Sequence, residues 1–223
     1  MKERKIYTSF EDIPNDYGYH PENSLIKGLK FGQEEIIQII IAIVVLTIAF
    51  SFALAPNPPL SHLNAVLSNI PLAFFAIFTA FFCHEIAHKY MGQKYGYWSE
   101  FRMYRQGLFL ALFLGIFMGF IFAAPGAVQI RGMPSREEIG KIALAGPLTN
   151  IILSAIFISI WVISTDFIAE IAFFIGYINA FLALFNLIPF GIFDGAKIFS
   201  WRKEIWALIA IAGFSLFVMI SIG

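Results

Sequence analysis

The sequence predicts an all-α polytopic membrane protein with five or six membrane helices, on the basis of three observations. Of the 223 residues, 59% are hydrophobic and only 13% are charged, and the mean hydropathy is +0.76. Several apolar runs reach the roughly 20 residues that a helix needs to cross the hydrocarbon core of a bilayer. The net charge bears on a separate question. The 15 Lys and Arg residues balance the 15 Asp and Glu residues, so the net charge gives no indication of nucleic-acid binding.

Residues 1–35 are expected to form a cytoplasmic segment that precedes a membrane-embedded domain over residues 36–223. The segment is polar and rich in basic and turn-forming residues. A cleavable signal peptide is not predicted, because such a peptide needs an apolar stretch near its start. Within the segment, Leu25–Phe31 could form a short strand.

The first two predicted spans cover Ile36–Ala55 and Ile70–Tyr90. Prolines at Ala55–Pro59 end the first span, and the following stretch up to Asn69 is predicted to be a loop without Lys or Arg. After the second span comes a basic and aromatic stretch over residues 89–105. Tyr and Trp beside basic residues are typical of a membrane interface, so this stretch is interpreted as an interfacial anchor.

The second half of the chain contains one interrupted apolar run and three further predicted spans. Gly107–Ala124 is apolar but broken by glycines, and Val128–Ile130 is predicted to be a short extended segment. Ser135, with Glu138 three residues later, has the pattern of a capping box at a helix start. The later predicted spans are Ile142–Ser164, Ile168–Pro189 and Ile205–Ile222.

The stretch His84-Glu85-Ile86-Ala87-His88 gives the clearest indication of chemistry. His84 and His88 are four residues apart, so on a helix they share a face and can bind one zinc ion. Glu85 can take a proton from a water molecule held by that ion. A buried histidine pair with ordinary hydrogen bonds is the simpler interpretation, but ionisable groups in a membrane-length segment are costly and usually functional. A catalytic zinc needs three protein ligands, so a third must come from elsewhere.

The distribution of basic residues indicates how many apolar runs cross the membrane. Six crossings would place Lys and Arg on both sides and put His84 and Asp194 at opposite faces. If residues 107–131 enter and return, either as a helical hairpin or as a helix with an extended return, the chain crosses five times. All 15 Lys and Arg then lie on one side, which the positive-inside rule makes cytoplasmic. Asp194, just after the span that ends at Pro189, is then on the side of the histidines and is the candidate third ligand.

Three motifs, in this order, resemble those of the site-2 protease family of intramembrane zinc metalloproteases. The first is HExxH, the second is a Gly-Pro pair with a downstream Asn, and the third is an Asn-x-x-Pro run that ends in Asp-Gly. The resemblance covers residues 70–200 and the first span. The matching residues are His84, Glu85 and His88, then Gly146, Pro147 and Asn150, then Asn186, Pro189, Asp194 and Gly195.

The resemblance implies one zinc ion per chain, bound by His84, His88 and Asp194. It further implies that Glu85 is the catalytic base and that Asn150 lines the active site as a second catalytic residue. From the residues alone, Asn150 could equally be a polar contact between helices. The Gly-Pro pair before it is expected to loosen its helix.

The resemblance also implies cleavage of peptide bonds within or near the transmembrane segments of membrane-protein substrates, inside the lipid bilayer of the cell membrane. Ala127–Arg131 would offer a strand edge to such a substrate. The insertion 107–124 departs from the simplest members of the family. Three alternatives are a pseudoprotease that binds membrane proteins without cleaving them, a metal transporter, and a zinc protease of another membrane family. The intact Glu85 argues against the first.

Overall fold

The computed structural model describes residues 29–121 and 125–222 of the chain, and within them it contains eight α-helices and one two-stranded sheet. Five helices are long and apolar enough to cross a membrane, which confirms the predicted all-α polytopic membrane fold. Residues 1–28 lie outside the described ranges, and with them most of the strand predicted at Leu25–Phe31. The five membrane-length helices are Gln33–Ala53, Leu63–Lys94, Arg136–Ile163, Asp166–Asn186 and Lys203–Ile222.

Helix α1 (Gln33–Ala53) corresponds to the first predicted span, but the helix that carries the HEIAH stretch is longer than predicted. Helix α2 (Leu63–Ile77), a π-helical turn (Phe78–Phe82) and helix α3 (Cys83–Lys94) form one continuous rod. The predicted loop up to Asn69 is therefore wrong after residue 62. Apolar residues recur at positions 63, 66, 67 and 70, which is the period of an amphipathic helix.

The sheet consists of β1 (Trp98–Met103) and β2 (Gly126–Arg131), paired antiparallel with Trp98 opposite Arg131 and Met103 opposite Gly126. Strand β2 confirms the extended segment that was predicted at Val128–Ile130. Strand β1 lies in the stretch that was interpreted only as an interfacial anchor. Its central residue, Phe101, is buried against the ring of Phe81, so this stretch contributes to the core as well as to the surface.

Helix α4 (Arg105–Met118) connects the two strands. Its 14 residues extend about 21 Å, which is short for a membrane crossing. The N–H of Tyr104, before the helix, donates to the carbonyl of Pro125, after it, over 2.9 Å. Because Tyr104 and Pro125 are hydrogen-bonded, the chain leaves and rejoins the sheet at one place, which fits a segment that enters and returns. Of the two arrangements that the sequence left open, the described residues match a helix with an extended return, since β2 follows α4.

The remaining helices are α5 (Arg136–Ile163), α6 (Asp166–Asn186), α7 (Asp194–Trp201) and α8 (Lys203–Ile222). The predicted capping box is present at the start of α5. The N–H of Glu138 donates to Ser135 Oγ over 3.2 Å, and the N–H of Ser135 donates to Glu138 Oε2 over 2.8 Å. Helix α5 continues through Pro147, so the Gly-Pro pair does not end the helix. Pro147 has no N–H, so one hydrogen bond within the helix is missing there.

Candidate metal centre and active site

Three side chains from two distant parts of the chain meet at one buried point. His84 and His88, from α3, face each other with their Nε2 atoms 3.0 Å apart. Asp194, the first residue of α7, places Oδ2 at 3.4 Å from His84 Nε2 and 2.9 Å from His88 Nε2. All three residues are buried, and within the described ranges they form the one cluster whose ligand atoms lie close enough to hold a metal ion.

The outer contacts of the two imidazoles determine which ring nitrogens face this point. His84 Nδ1 lies 3.0 Å from Asn150 Oδ1, and His88 Nδ1 lies 2.8 Å from the carbonyl oxygen of Ile142. Both partners are acceptors, so each Nδ1 carries the proton and donates it. Each Nε2 then presents a lone pair to the carboxylate of Asp194. Three electron-pair donors that converge in this way favour a bound cation, and a donated Nδ1–H is the usual outer contact of a metal-ligating histidine.

Gly146 provides the space beside the two imidazoles. A Cβ atom at this position would lie 2.3 Å from His88 Nε2 and 2.6 Å from His84 Nε2. Any residue larger than glycine would therefore press on both ligand atoms. The glycine of the Gly-Pro pair is explained by this close approach of α5 to the metal centre.

Asp194 is held in place by Lys197, one turn further along α7. Lys197 Nζ donates to Asp194 Oδ1 over 3.0 Å, which leaves Oδ2 directed at the two Nε2 atoms. Burial raises the pKa of Asp194, and the charge of the neighbouring Lys197 ammonium group lowers it. The carboxylate that accepts from this ammonium group is ionised and available as a ligand. Two histidines and one carboxylate are a ligand set found at catalytic zinc sites, where a fourth position stays open.

A mainly apolar cavity of about 630 Å³ opens beside the three ligands. Glu85 lines this cavity together with His84 and His88, as expected for the residue that follows the first ligand. Its Oε2 accepts a hydrogen bond from the backbone N–H of Val128 in β2, over 3.0 Å. The sheet therefore borders the cavity at the candidate base.

Asn150 lies on α5, behind His84. Its side chain is completely buried, with Oδ1 against His84 Nδ1 and Nδ2 donating to the carbonyl of Ala80 over 2.9 Å. Both polar atoms of the amide are used in these contacts, so Asn150 positions His84. This arrangement differs from the expectation that Asn150 lines the active site, and a catalytic role for this residue stays a prediction.

A second buried network, which the sequence reasoning missed, joins α1 to the metal-binding helix. Glu35 and Lys89 are both 0% exposed, and Lys89 Nζ lies 2.8 Å from Glu35 Oε2. Lys89 also donates to the carbonyl of Ser99, while Glu35 Oε1 accepts the N–H of Phe101. Lys89 directly follows His88, and its place inside a predicted span was a signal for a buried partner.

Comparison with known proteins places this chain in a family. No model of a known protein family matches the chain, and no solved structure matches it. A protein of Methanocaldococcus jannaschii named "Putative zinc metalloprotease MJ0611" is 38% identical over 197 residues, which cover 85% of this chain and 97% of that protein. The chain therefore belongs to the family of zinc metalloproteases that this archaeal protein represents.

Proposed function

We propose that the protein is an intramembrane zinc metalloprotease of the site-2 type, which hydrolyses peptide bonds within or near the transmembrane segments of membrane proteins. The observation that carries this proposal is the position of the three-ligand centre. It lies beside a large apolar cavity formed between membrane-length helices. Such a cavity suits an apolar segment and disfavours a soluble, charged peptide.

His84, His88 and Asp194 would hold one zinc ion per chain. When bound, zinc lowers the pKa of a coordinated water molecule towards ~7 and polarises a carbonyl group. The donated Nδ1–H bonds and the contact of Lys197 with Asp194 fix all three ligands before the metal arrives. These outer contacts keep the ligand set rigid, which a catalytic metal site requires.

Glu85 is the general base of the proposed reaction. A carboxylate oxygen takes a proton from the attacking water, whose oxygen forms the new bond to the scissile carbonyl carbon. The same oxygen then passes the proton to the leaving amine as the carbon–nitrogen bond breaks. The proposed products are a new carboxylate on one side of the cut and a new amine on the other.

The substrate would bind in an extended conformation, because a helix hides its carbonyl groups from attack. Strand β2 offers the local template for such pairing, since Gly126, Val128 and Ile130 all line the cavity. The proposed substrates are spanning helices that unwind easily near one membrane face. We place that face on the cytoplasmic side of the cell membrane, because the 15 Lys and Arg residues fall on the side of the centre in a five-crossing topology.

The proposal is tested with Glu85→Gln in protein reconstituted with a model single-span substrate. The expected result is about one zinc ion per chain, as in the wild type, and loss of cleavage by several orders of magnitude. Glu170→Gln is the matched control, because Glu170 is exposed near the start of α6, and it should leave cleavage unchanged. Undiminished cleavage by Glu85→Gln would show that Glu85 is not the general base. Zinc binding by the wild type without cleavage would indicate a pseudoprotease.

A further inference from the structure

The two edges of the small sheet differ in whether they can accept another strand. In an antiparallel pair, directly opposite residues alternate between those bonded to each other and those that point their backbone groups outward. Tyr104 donates to Pro125 across the sheet, and this bond sets the alternation for the whole register. The outward residues are therefore Ser99, Phe101 and Met103 on β1, and Gly126, Val128 and Ile130 on β2.

The outer edge of β1 is already occupied by side chains. The N–H of Phe101 donates to Glu35 Oε1 over 2.9 Å, and the N–H of Met103 donates to Gln38 Oε1 over 2.9 Å. The carbonyl of Ser99 accepts from Lys89 Nζ over 2.8 Å. Helix α1 and the buried Glu35–Lys89 pair thus prevent a further strand from joining on this side.

The outer edge of β2 faces the cavity, and a single side chain forms a hydrogen bond with it. That side chain is Glu85, which accepts the outward N–H of Val128 over 3.0 Å. The flanking outward groups, on Gly126 and Ile130, have no hydrogen-bond partner within residues 29–121 and 125–222. The candidate base therefore sits at the central position of the one edge that a substrate strand can join.

We propose that Glu85 and the substrate backbone compete for the N–H of Val128, so that strand pairing at β2 releases the catalytic base. This inference rests on the proposed function and specifies its substrate as an extended segment with a backbone carbonyl opposite Val128. When that carbonyl accepts the N–H, Glu85 Oε2 loses its partner and is free to accept a proton from the attacking water. A peptide that enters the cavity without pairing leaves Glu85 bonded to the strand.

Competition of this kind lowers the apparent affinity for a pairing substrate, because the paired state forms only after the bond between Val128 and Glu85 breaks. Removing the carboxylate should therefore strengthen binding even though it abolishes the reaction. A purely structural role for the contact would leave binding unchanged or weaken it. Affinity for a non-cleavable peptide thus separates the two possibilities without any need for turnover.

The test measures binding of a synthetic apolar peptide of about 20 residues, with a reduced bond at its intended cleavage site. Wild type, Glu85→Ala, Val128→Pro and the double variant are compared in detergent. Proline removes the outward N–H of Val128, which the ladder does not use, and also replaces the side chain and fixes φ. Glu85→Ala is expected to bind about tenfold more tightly than the wild type. In the Val128→Pro background, the same change should alter affinity less than about twofold.

Controls separate the lost N–H from general damage to the sheet. Gln129→Pro removes an N–H that points into the ladder, so its peptide affinity shows the effect of a disrupted sheet. The zinc content of each variant shows whether it has folded. If Val128→Pro loses zinc, the ester analogue with a hydroxy acid at position 128 removes the same N–H and keeps the side chain.

An equal effect of Glu85→Ala in both backgrounds, or no effect in either, would overturn the inference. So would failure of all variants to bind the peptide. The proposed function is tested separately, by whether the wild type cleaves the peptide with an ordinary bond at the same position. Absence of that cleavage would reject proteolysis. The affinities of the four proteins for the non-cleavable peptide would still test whether Glu85 and the peptide compete for the N–H of Val128.

Discussion

His84 and Asn150 share a hydrogen bond of 3.0 Å between Nδ1 and Oδ1, and the amide of Asn150 in turn donates to the carbonyl of Ala80 in the π-helical turn. This chain of contacts links α5, the π-helical turn and the first metal ligand. Because the orientation of the amide is fixed by Ala80, its oxygen can only accept from His84. The relationship assigns the protonated nitrogen of His84 and directs its Nε2 at the metal position.

Asn150→Ala should weaken zinc affinity about 10- to 100-fold, because an unsupported imidazole loses its fixed ring orientation. Zinc affinity is measured by competition with a chelator, and cleavage is measured at saturating zinc. Asn179→Ala is the control, since Asn179 is equally buried on α6 and bonds to Thr79. Unchanged zinc affinity with a lower kcat would instead indicate a direct contact of Asn150 with the reacting groups.

Gly146→Ala should abolish zinc binding without unfolding the protein. The added methyl would sit 2.3 Å from His88 Nε2, and alanine is otherwise favourable in a helix. The measurement is zinc content together with the thermal unfolding midpoint in detergent. Gly213→Ala is the control, because its Cβ would meet the side chain of Leu184 at 3.3 Å. Full zinc content in Gly146→Ala would contradict the close approach of α5 to the ligands.

Removing one partner of the buried Glu35–Lys89 pair should destabilise the protein by about 3–5 kcal/mol, because the other charge is left without a counter-ion. Lys89→Met tests this by equilibrium unfolding in detergent. The control is Lys141→Met, which removes a partner of Glu137 in a partly exposed pair and should cost at most about 1 kcal/mol. Equal losses for the two variants would mean that burial of the first pair has no energetic consequence.

The five-crossing topology predicts that Gln129→Cys, in a Cys83→Ser background, is labelled by an impermeant thiol reagent only from the cytoplasmic side. Gln129 is exposed on β2, and its strand lies at the end of the bundle that holds the metal centre. Thr165→Cys, exposed in the turn between α5 and α6, should be labelled only from the opposite side. Labelling of both positions from the same side would reject this topology.

The membrane helices could be predicted because length and hydropathy are local properties of the chain. The last helix was predicted from Ile205 and begins at Lys203. The start of α2 was missed because the predicted boundary, near Ile70, ignored the apolar period that extends back to Leu63. Boundaries of this kind depend on the amphipathic pattern, which is weaker than the total hydropathy of a span.

Contacts between distant segments could not be predicted from such local properties of the chain. Strand β1 exists because β2 pairs with it from 23 to 33 residues further along the chain, and no short-range pattern specifies that partner. Glu35 had been placed in the aqueous N-terminal segment, yet it is buried against Lys89, 54 residues away. A charge near the start of a span shows that a partner is needed, but the fold determines which residue supplies it.

The candidate metal ligands could be predicted because helical spacing already brings His84 and His88 together, and the charge distribution placed Asp194 on the same side. The close approach of Gly146 to the ligands could not be predicted, because it depends on side chains from another helix. A glycine beside a proline suggests only a loosened helix when the sequence alone is considered. In the folded protein α5 runs through the pair, and the missing side chain of Gly146 matters because two imidazoles occupy that space.

The bond between Tyr104 and Pro125 makes the stretch between them a separable cassette. Because these residues already continue the ladder of β1 and β2, the two strands are a hairpin whose connection is an apolar helix. A two-residue turn could join the same strands without a change of register. An exchange of the cassette must keep the face of α4 that packs on α1, because Leu108 and Ala111 are buried in one core cluster with Leu46. Since Phe120 and Ile121 line the cavity, its exchange would alter the entrance that a substrate meets and leave the chemistry intact.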